Sequence, residues 1–110
     1  MVREQGDIHI IDMPEKTDLY SAMQLKNKIT EIMEAGAGKV IINLSAAKTM
    51  GSPGIGSLAF AAQHVQTEKQ GLLRLVQVQP EVLRLLQQTR MDGRFTILET
   101  EEEGVQSLAD

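Results

Sequence analysis

"KVIINLSAAKTMGSPGIGSLAF" (residues 39–60) decides the fold. Its first six residues form a short, continuous apolar run rich in β-branched side chains, as expected of a strand covered on both faces. From Ile55 the apolar residues switch to a helical period, with Ile55, Leu58, Ala59, Ala62 and Val65 on one face. The loop between them, "SAAKTMGSPG", carries glycines, serines and a proline. The stretch therefore reads as strand, loop, helix, and the alternation continues in both directions. Upstream, "GDIHIIDMP" sets Ile8, Ile10, Ile11 and Met13 between turn residues, which predicts a strand; "MVRE" before it can be a short edge strand turning through Gln5-Gly6-Asp7. Residues 16–38 follow a helical period, with Ala22, Leu25, Ile29, Ile32 and Met33 on one face, Thr17 or Asp18 as cap, and Gly36 and Gly38 at the end. Downstream, Gly71 marks the end of the second helix and "LLRLVQV" is the next strand. Pro80 then suits the first turn of a helix whose stripe is Val82, Leu83, Leu85 and Leu86. "FTIL" predicts a last short strand, and Thr100 and Glu103 stand at capping-box spacing for a closing helix. Strands alternating with helices in this way imply an α/β fold: one domain over residues 1–110, a mixed sheet with parallel central strands, and about four helices.

Composition narrows the function classes. Hydrophobic residues make up 42% of the 110 and aromatics only 3%, so the core is aliphatic and there is little stacking platform for single-stranded nucleic acid. A net charge of -4 argues against a polyanionic partner, which needs a basic face; no nucleic acid is expected. The absence of Cys excludes disulfides, thiol nucleophiles and thiolate metal sites. Residues 1–10 have no apolar signal-peptide core, and no apolar run approaches the roughly 20 residues of a membrane span. A cytoplasmic protein with no membrane association is the expectation.

Candidate chemistry is sparse. His9 and His64 lie far apart, with no neighbours at metal-ligand spacing, so no metal is expected and both read as water-facing histidines. The acidic run at residues 99–103 reads as helix-dipole complementarity. "GIGSLA" (residues 54–59) has the letters of a dinucleotide fingerprint, but the preceding strand ends too early for the tight turn that motif needs. No cofactor is expected. Ser52 remains. It suits an N-cap with Pro53 at the first helical position, while Gly51 lets the chain turn and Gly54 and Gly56 let another surface approach. No histidine is placed to serve Ser52 as a catalytic base. An exposed hydroxyl at a helix N-terminus can also accept a phosphate from another enzyme, and the added charge would change how that surface docks.

The order of these features resembles the STAS domain of bacterial anti-sigma factor antagonists. That family runs as an apolar strand ending in Leu-Ser, a "hhDSSGhG" loop entering a helix, a strand ending in Val, a helix opened by Pro, and "h-x-x-T-G-h-x-x-x-F" before the last strand. Matching residues are Leu44, Ser45, Met50, Ser52, Gly54, Ile55, Gly56, Pro80, Leu86, Thr89, Met91 and Phe95, and "DLYSAMQL" (residues 18–25) is similar to the family's "D-h-x-T-A-x-x-L". The resemblance implies a non-enzymatic phosphoprotein that regulates transcription by partner switching. An anti-sigma factor serine kinase would bind it and phosphorylate Ser52, breaking the complex, and a serine phosphatase would reset it. The implied partner surface is Asp18, Met50, Gly51, Ser52, Pro53, Gly54, Ile55 and Gly56. Two positions depart from the pattern: Gly51 stands in place of the acid before the acceptor, and Pro53, which has no N–H, in place of the second serine. The alternative is a STAS module that joins another complex without being phosphorylated.

Overall fold

The computed structural model describes residues 2–109; the expected edge strand's Met1 lies outside them. In chain order the elements are β1 (Val2–Gln5), β2 (Ile8–Asp12), β3 (Lys16–Thr17), α1 (Leu19–Glu34), β4 (Lys39–Asn43), β5 (Thr49–Met50) and α2 (Ser52–Ala61). Then follow β6 (Leu72–Val76), α3 (Pro80–Gln88), β7 (Thr96–Leu98) and α4 (Glu101–Leu108). α2 runs on as a wider π-helical segment, Ala62–Glu68, and a single 3-10 turn, Asp92–Arg94, precedes β7.

β1, β2, β4, β6 and β7 form one sheet in that order. β1 pairs antiparallel with β2 through the turn at Gly6, whose φ of 62° suits a residue without a side chain. All the other pairings in this sheet are parallel. The expected α/β fold, a mixed sheet with parallel central strands and about four helices, is therefore the observed one, with four α-helices among the described residues.

Alternation along β4 explains its continuous apolar run. Val40, Ile42 and Leu44 join a large core with the buried residues of α1, α2 and α3, while Ile41 points the other way and packs with Ile8, Ile10, Val76 and Leu108 beneath α4. The buried face of α1 is the one its periodicity predicts: Ala22, Leu25, Ile29, Ile32 and Met33. On α2 the predicted stripe is only partly right. Leu58, Ala62 and Val65 are buried, but Ile55 and Ala59 are half-exposed, and the buried face also takes Gly54, Ser57 and Ala61. On α3, Val82 and Leu86 are buried, whereas Leu83 and Leu85 are only partly covered.

α4 closes the second face with the expected capping box: Thr100 Oγ1 accepts from the Glu103 N–H, and Glu103 Oε1 accepts from the Thr100 N–H. It is also pinned by a network that spacing did not reveal. Arg3 donates to Asp12 at 2.7 Å through two nitrogens and to Glu101 at 2.6 and 3.1 Å, and Asn43 donates to Glu101 and Gln77, both at 2.9 Å. Hydrogen bonds from Arg3 hold the Asp12 and Glu101 carboxyls below the usual carboxylate range, against a smaller opposing effect of burial. Glu101 thus does more than complement the helix dipole.

Both histidines are less exposed than their sequence neighbours imply. His9 lies opposite Glu4 across the β1–β2 ladder, with Nε2 3.0 Å from Glu4 Oε1, and its side chain is largely covered. His64 falls in the π-helical segment, and its ring stacks on that of Phe60, one turn earlier, with centroids 5.2 Å apart. Nδ1 of His64 lies 3.5 Å from Glu68 Oε1.

Candidate protein-interaction site

Two residue pairs organise the site. β3 and β5 make a separate two-stranded parallel sheet, with Lys16 opposite Thr49 and Thr17 opposite Met50. Asp18 follows β3 directly and Gly51 follows β5 directly, so strands about 4.8 Å apart deliver the starts of α1 and α2 side by side. Lys48 and Thr49 also donate backbone N–H groups to the Glu15 carbonyl, fastening the two loops together. This is how a carboxylate and a serine distant in sequence come to share one surface.

Asp18 caps α1. Its Oδ1 accepts from the N–H and the hydroxyl of Ser21, both at 2.9 Å. These bonds, the backbone one foremost, hold the carboxyl below the ordinary aspartate range, with Lys16 adding a smaller contribution. The group is exposed and carries its charge at neutral pH.

Ser52 does not cap α2, contrary to expectation. Gly51, extended at φ -96° and ψ -165°, is the N-cap, and its carbonyl accepts the first helical bond from Ile55 N at 3.1 Å. Ser52 is therefore the first helical residue and Pro53 the second, and no side chain caps the helix. Proline lacks an N–H that no position in the first turn uses, so Pro53 fits the second helical position as well as the first and does not fix the helix start at Ser52. Ser52 is left exposed at the positive end of the α2 dipole. Pro53 has no N–H, so Ser52 and Gly54 supply the free donors there.

The remaining predicted residues divide by burial. Gly51 and Gly56 are exposed, Pro53 and Ile55 half-exposed, and Met50 and Gly54 buried. Met50 and Gly54 lie against each other: a Cβ on Gly54 would collide with the Met50 Cγ and come within 3.1 Å of Thr17 Cγ2. Their part is to seat α2 on the small sheet, below the surface that Ser52 occupies. Sequence spacing missed Leu19, Tyr20 and Met23, which are 66%, 69% and 54% exposed at the start of α1. The signal was present: three large apolar residues stand off the helical face assigned to the core.

A family model for the STAS domain matches residues 1–104. The chain belongs to the STAS family. The STAS fold has solved counterparts over nearly the whole chain. A candidate anti-sigma factor antagonist from Thermotoga maritima is 22% identical, with a TM-score of 0.87 over 98% of this chain and 92% of that one. An anti-sigma-factor antagonist (STAS) domain protein from Planctomyces limnophilus is 21% identical, with a TM-score of 0.84 over 99% and 96%. The Bacillus cell fate determinant SpoIIAA in its phosphorylated form is 19% identical, with a TM-score of 0.78 over 99% and 98%. Comparison with curated protein sequences gives no match. Among the described residues of this STAS domain, no helix is long and apolar enough to cross a membrane.

Proposed function

We propose that this STAS domain is an anti-sigma factor antagonist whose binding to an anti-sigma factor kinase is switched off by phosphorylation of Ser52. The observation that carries the reading is the exposed Ser52 at the N-terminus of α2, seated beside the charged Asp18 by the β3–β5 pairing. The SpoIIAA neighbour, a protein of the same fold that has a phosphorylated form, supports the reading.

The mechanism is electrostatic. Unphosphorylated, the surface of Asp18, Gly51, Ser52, Pro53, Ile55 and Gly56 docks on the kinase and displaces its sigma factor. A phosphate on Ser52 adds a charge of about -1.5 to -2, which the α2 dipole tolerates locally. Within the complex the same charge stands close to Asp18 and must be desolvated, so docking weakens. A loss of about 2.7 kcal/mol lowers affinity a hundredfold. A serine phosphatase then restores the binding form, and the STAS domain itself performs no chemistry.

The test uses purified anti-sigma factor kinases encoded in the same genome, titrated in turn with wild type and with Ser52→Asp. The expected result is tight binding of wild type to one kinase, binding about a hundredfold weaker for Ser52→Asp, and an added phosphate on wild type by intact mass after incubation with ATP. Equal affinity of the two proteins overturns the switch. A second reading, a STAS module that assembles constitutively with another complex, is favoured by Gly51 and Pro53, which remove an acid and a backbone donor beside Ser52. It predicts no added phosphate.

A further inference from the structure

Among the described residues four large hydrophobic side chains are exposed, and three of them, Leu19, Tyr20 and Met23, cluster at the start of α1. α1 does not need them for its core, because Ala22, Leu25, Ile29, Ile32 and Met33 already cover the buried face. Three large apolar groups left together in water on a chain this small mark an interaction surface rather than scattered exposure. We propose that this patch is the part of the docking surface that holds the anti-sigma factor kinase, and that Ser52 acts on it only as the switch. The proposal rests on the function proposed above and adds where the affinity comes from.

Continuity with the Ser52 surface is the first argument. Leu19 opens α1 one residue after Asp18, as Ser52 opens α2 one residue after Gly51, and the two helices pack side by side. On α2 the outward positions near its start are small: Ser52 and Gly56 are exposed, and the space around Gly56 is open. A partner element resting on Ser52 and Gly56 therefore lies low enough to meet side chains that project from α1.

Preorganisation is the second. Tyr20 Oη accepts a hydrogen bond from Gln24 Nε2 at 2.9 Å, one turn along the helix. This tether restrains the ring before binding, which lowers the ordering cost that long side chains usually carry into an interface. An amphipathic aromatic ring is also the kind of anchor on which interface affinity concentrates.

Charge sets what the kinase must present. The ionised Asp18 borders the patch, so the complementary surface is an apolar cleft with a cationic group at its rim. A second copy of this chain fits poorly. A two-fold contact through the patch presents the same surface from both copies and brings two Asp18 carboxylates into one interface.

The experiment is calorimetric titration of the purified kinases against wild type, Tyr20→Ala, the Tyr20→Ala/Met23→Ala double variant and Ser52→Asp, without ATP. All three substituted positions are exposed, so thermal midpoints close to wild type are expected and confirm the fold. Affinity should fall at least about 30-fold for the double variant. If the double variant binds like wild type while Ser52→Asp weakens, the patch proposal is overturned and the switch stands. If wild type binds none of the kinases, the functional reading fails and takes the patch's partner with it. Sedimentation provides a further outcome: self-association of wild type that the double variant abolishes, with kinase affinity unchanged, makes the patch a self-interface and also overturns the proposal.

Discussion

Gly54 and Gly56 stand two residues apart in one helix, yet alanine should act on them with opposite sign. A Cβ at Gly54 collides with Met50 Cγ and reaches 3.1 Å from both Met50 Sδ and Thr17 Cγ2. Met50 and Thr17 are themselves buried, 8% and 4% exposed, so neither can simply swing into solvent. Overpacking of this kind costs about 1–3 kcal/mol, and the helix-propensity gain of about 1 kcal/mol for Gly→Ala offsets only part of it. Gly54→Ala should therefore destabilise by about 1 kcal/mol net, lowering the thermal midpoint by about 4–8 °C. At Gly56 a Cβ meets nothing within 4 Å, so only the propensity gain remains, and the midpoint should rise by a similar amount. Scanning calorimetry on both variants is the assay. A Gly54→Ala protein as stable as Gly56→Ala would refute the claim that α2 is seated on the β3–β5 sheet through this contact. The double variant Gly54→Ala/Met50→Ala removes the colliding side chain, and comparing it with Met50→Ala alone should show little further cost from the added methyl.

The other expectations are as follows. Asp12 and Glu101 have folded pKa values below their ordinary ones, so their stabilising contribution is complete at neutral pH and is lost as pH falls through the folded values, from about pH 5 downward. Arg3→Met should remove most of that acid dependence, leaving the Asn43 hydrogen bond to Glu101, and, by leaving two carboxylates without their common cation, cost on the order of 1–2 kcal/mol at pH 7, discounted for the partial exposure of all three groups; urea unfolding at a series of pH values reads both effects. Thr100→Ala should lose about 1 kcal/mol through the capping box, and hydrogen exchange in α4 should rise before it does elsewhere.

Much of the fold was legible because hydrophobic period reports directly on which face is buried. The α1 stripe and the two-sided burial of β4 follow from it without correction. Other features were not legible, each for a physical reason. β3 and β5 have two residues each, too short for any period, although their pairing places Asp18 beside Ser52. The start of α2 lies one residue earlier than expected because Pro53 is compatible with either of the first two helical positions and so does not mark the boundary. The burial of Met50 depends on β5 pairing with β3 beneath Gly54 of α2, which no local pattern records. His64 was misread because the glutamines flanking it suggested a solvated face, whereas its ring is covered by Phe60 one turn earlier.

By itself, the sequence determined the order of the five strands of the main sheet and of the four helices, the aliphatic core, and Ser52 as the hydroxyl at the entrance to α2, since composition and local period suffice for these. Only the tertiary structure decided that Ser52 is exposed and makes no cap, that the strands leading to Asp18 and Gly51 are paired, and that Leu19, Tyr20 and Met23 remain exposed at the start of α1. Those facts depend on contacts between segments distant in the chain, and a surface assembled from two helix starts exists only once the small parallel sheet has brought them together.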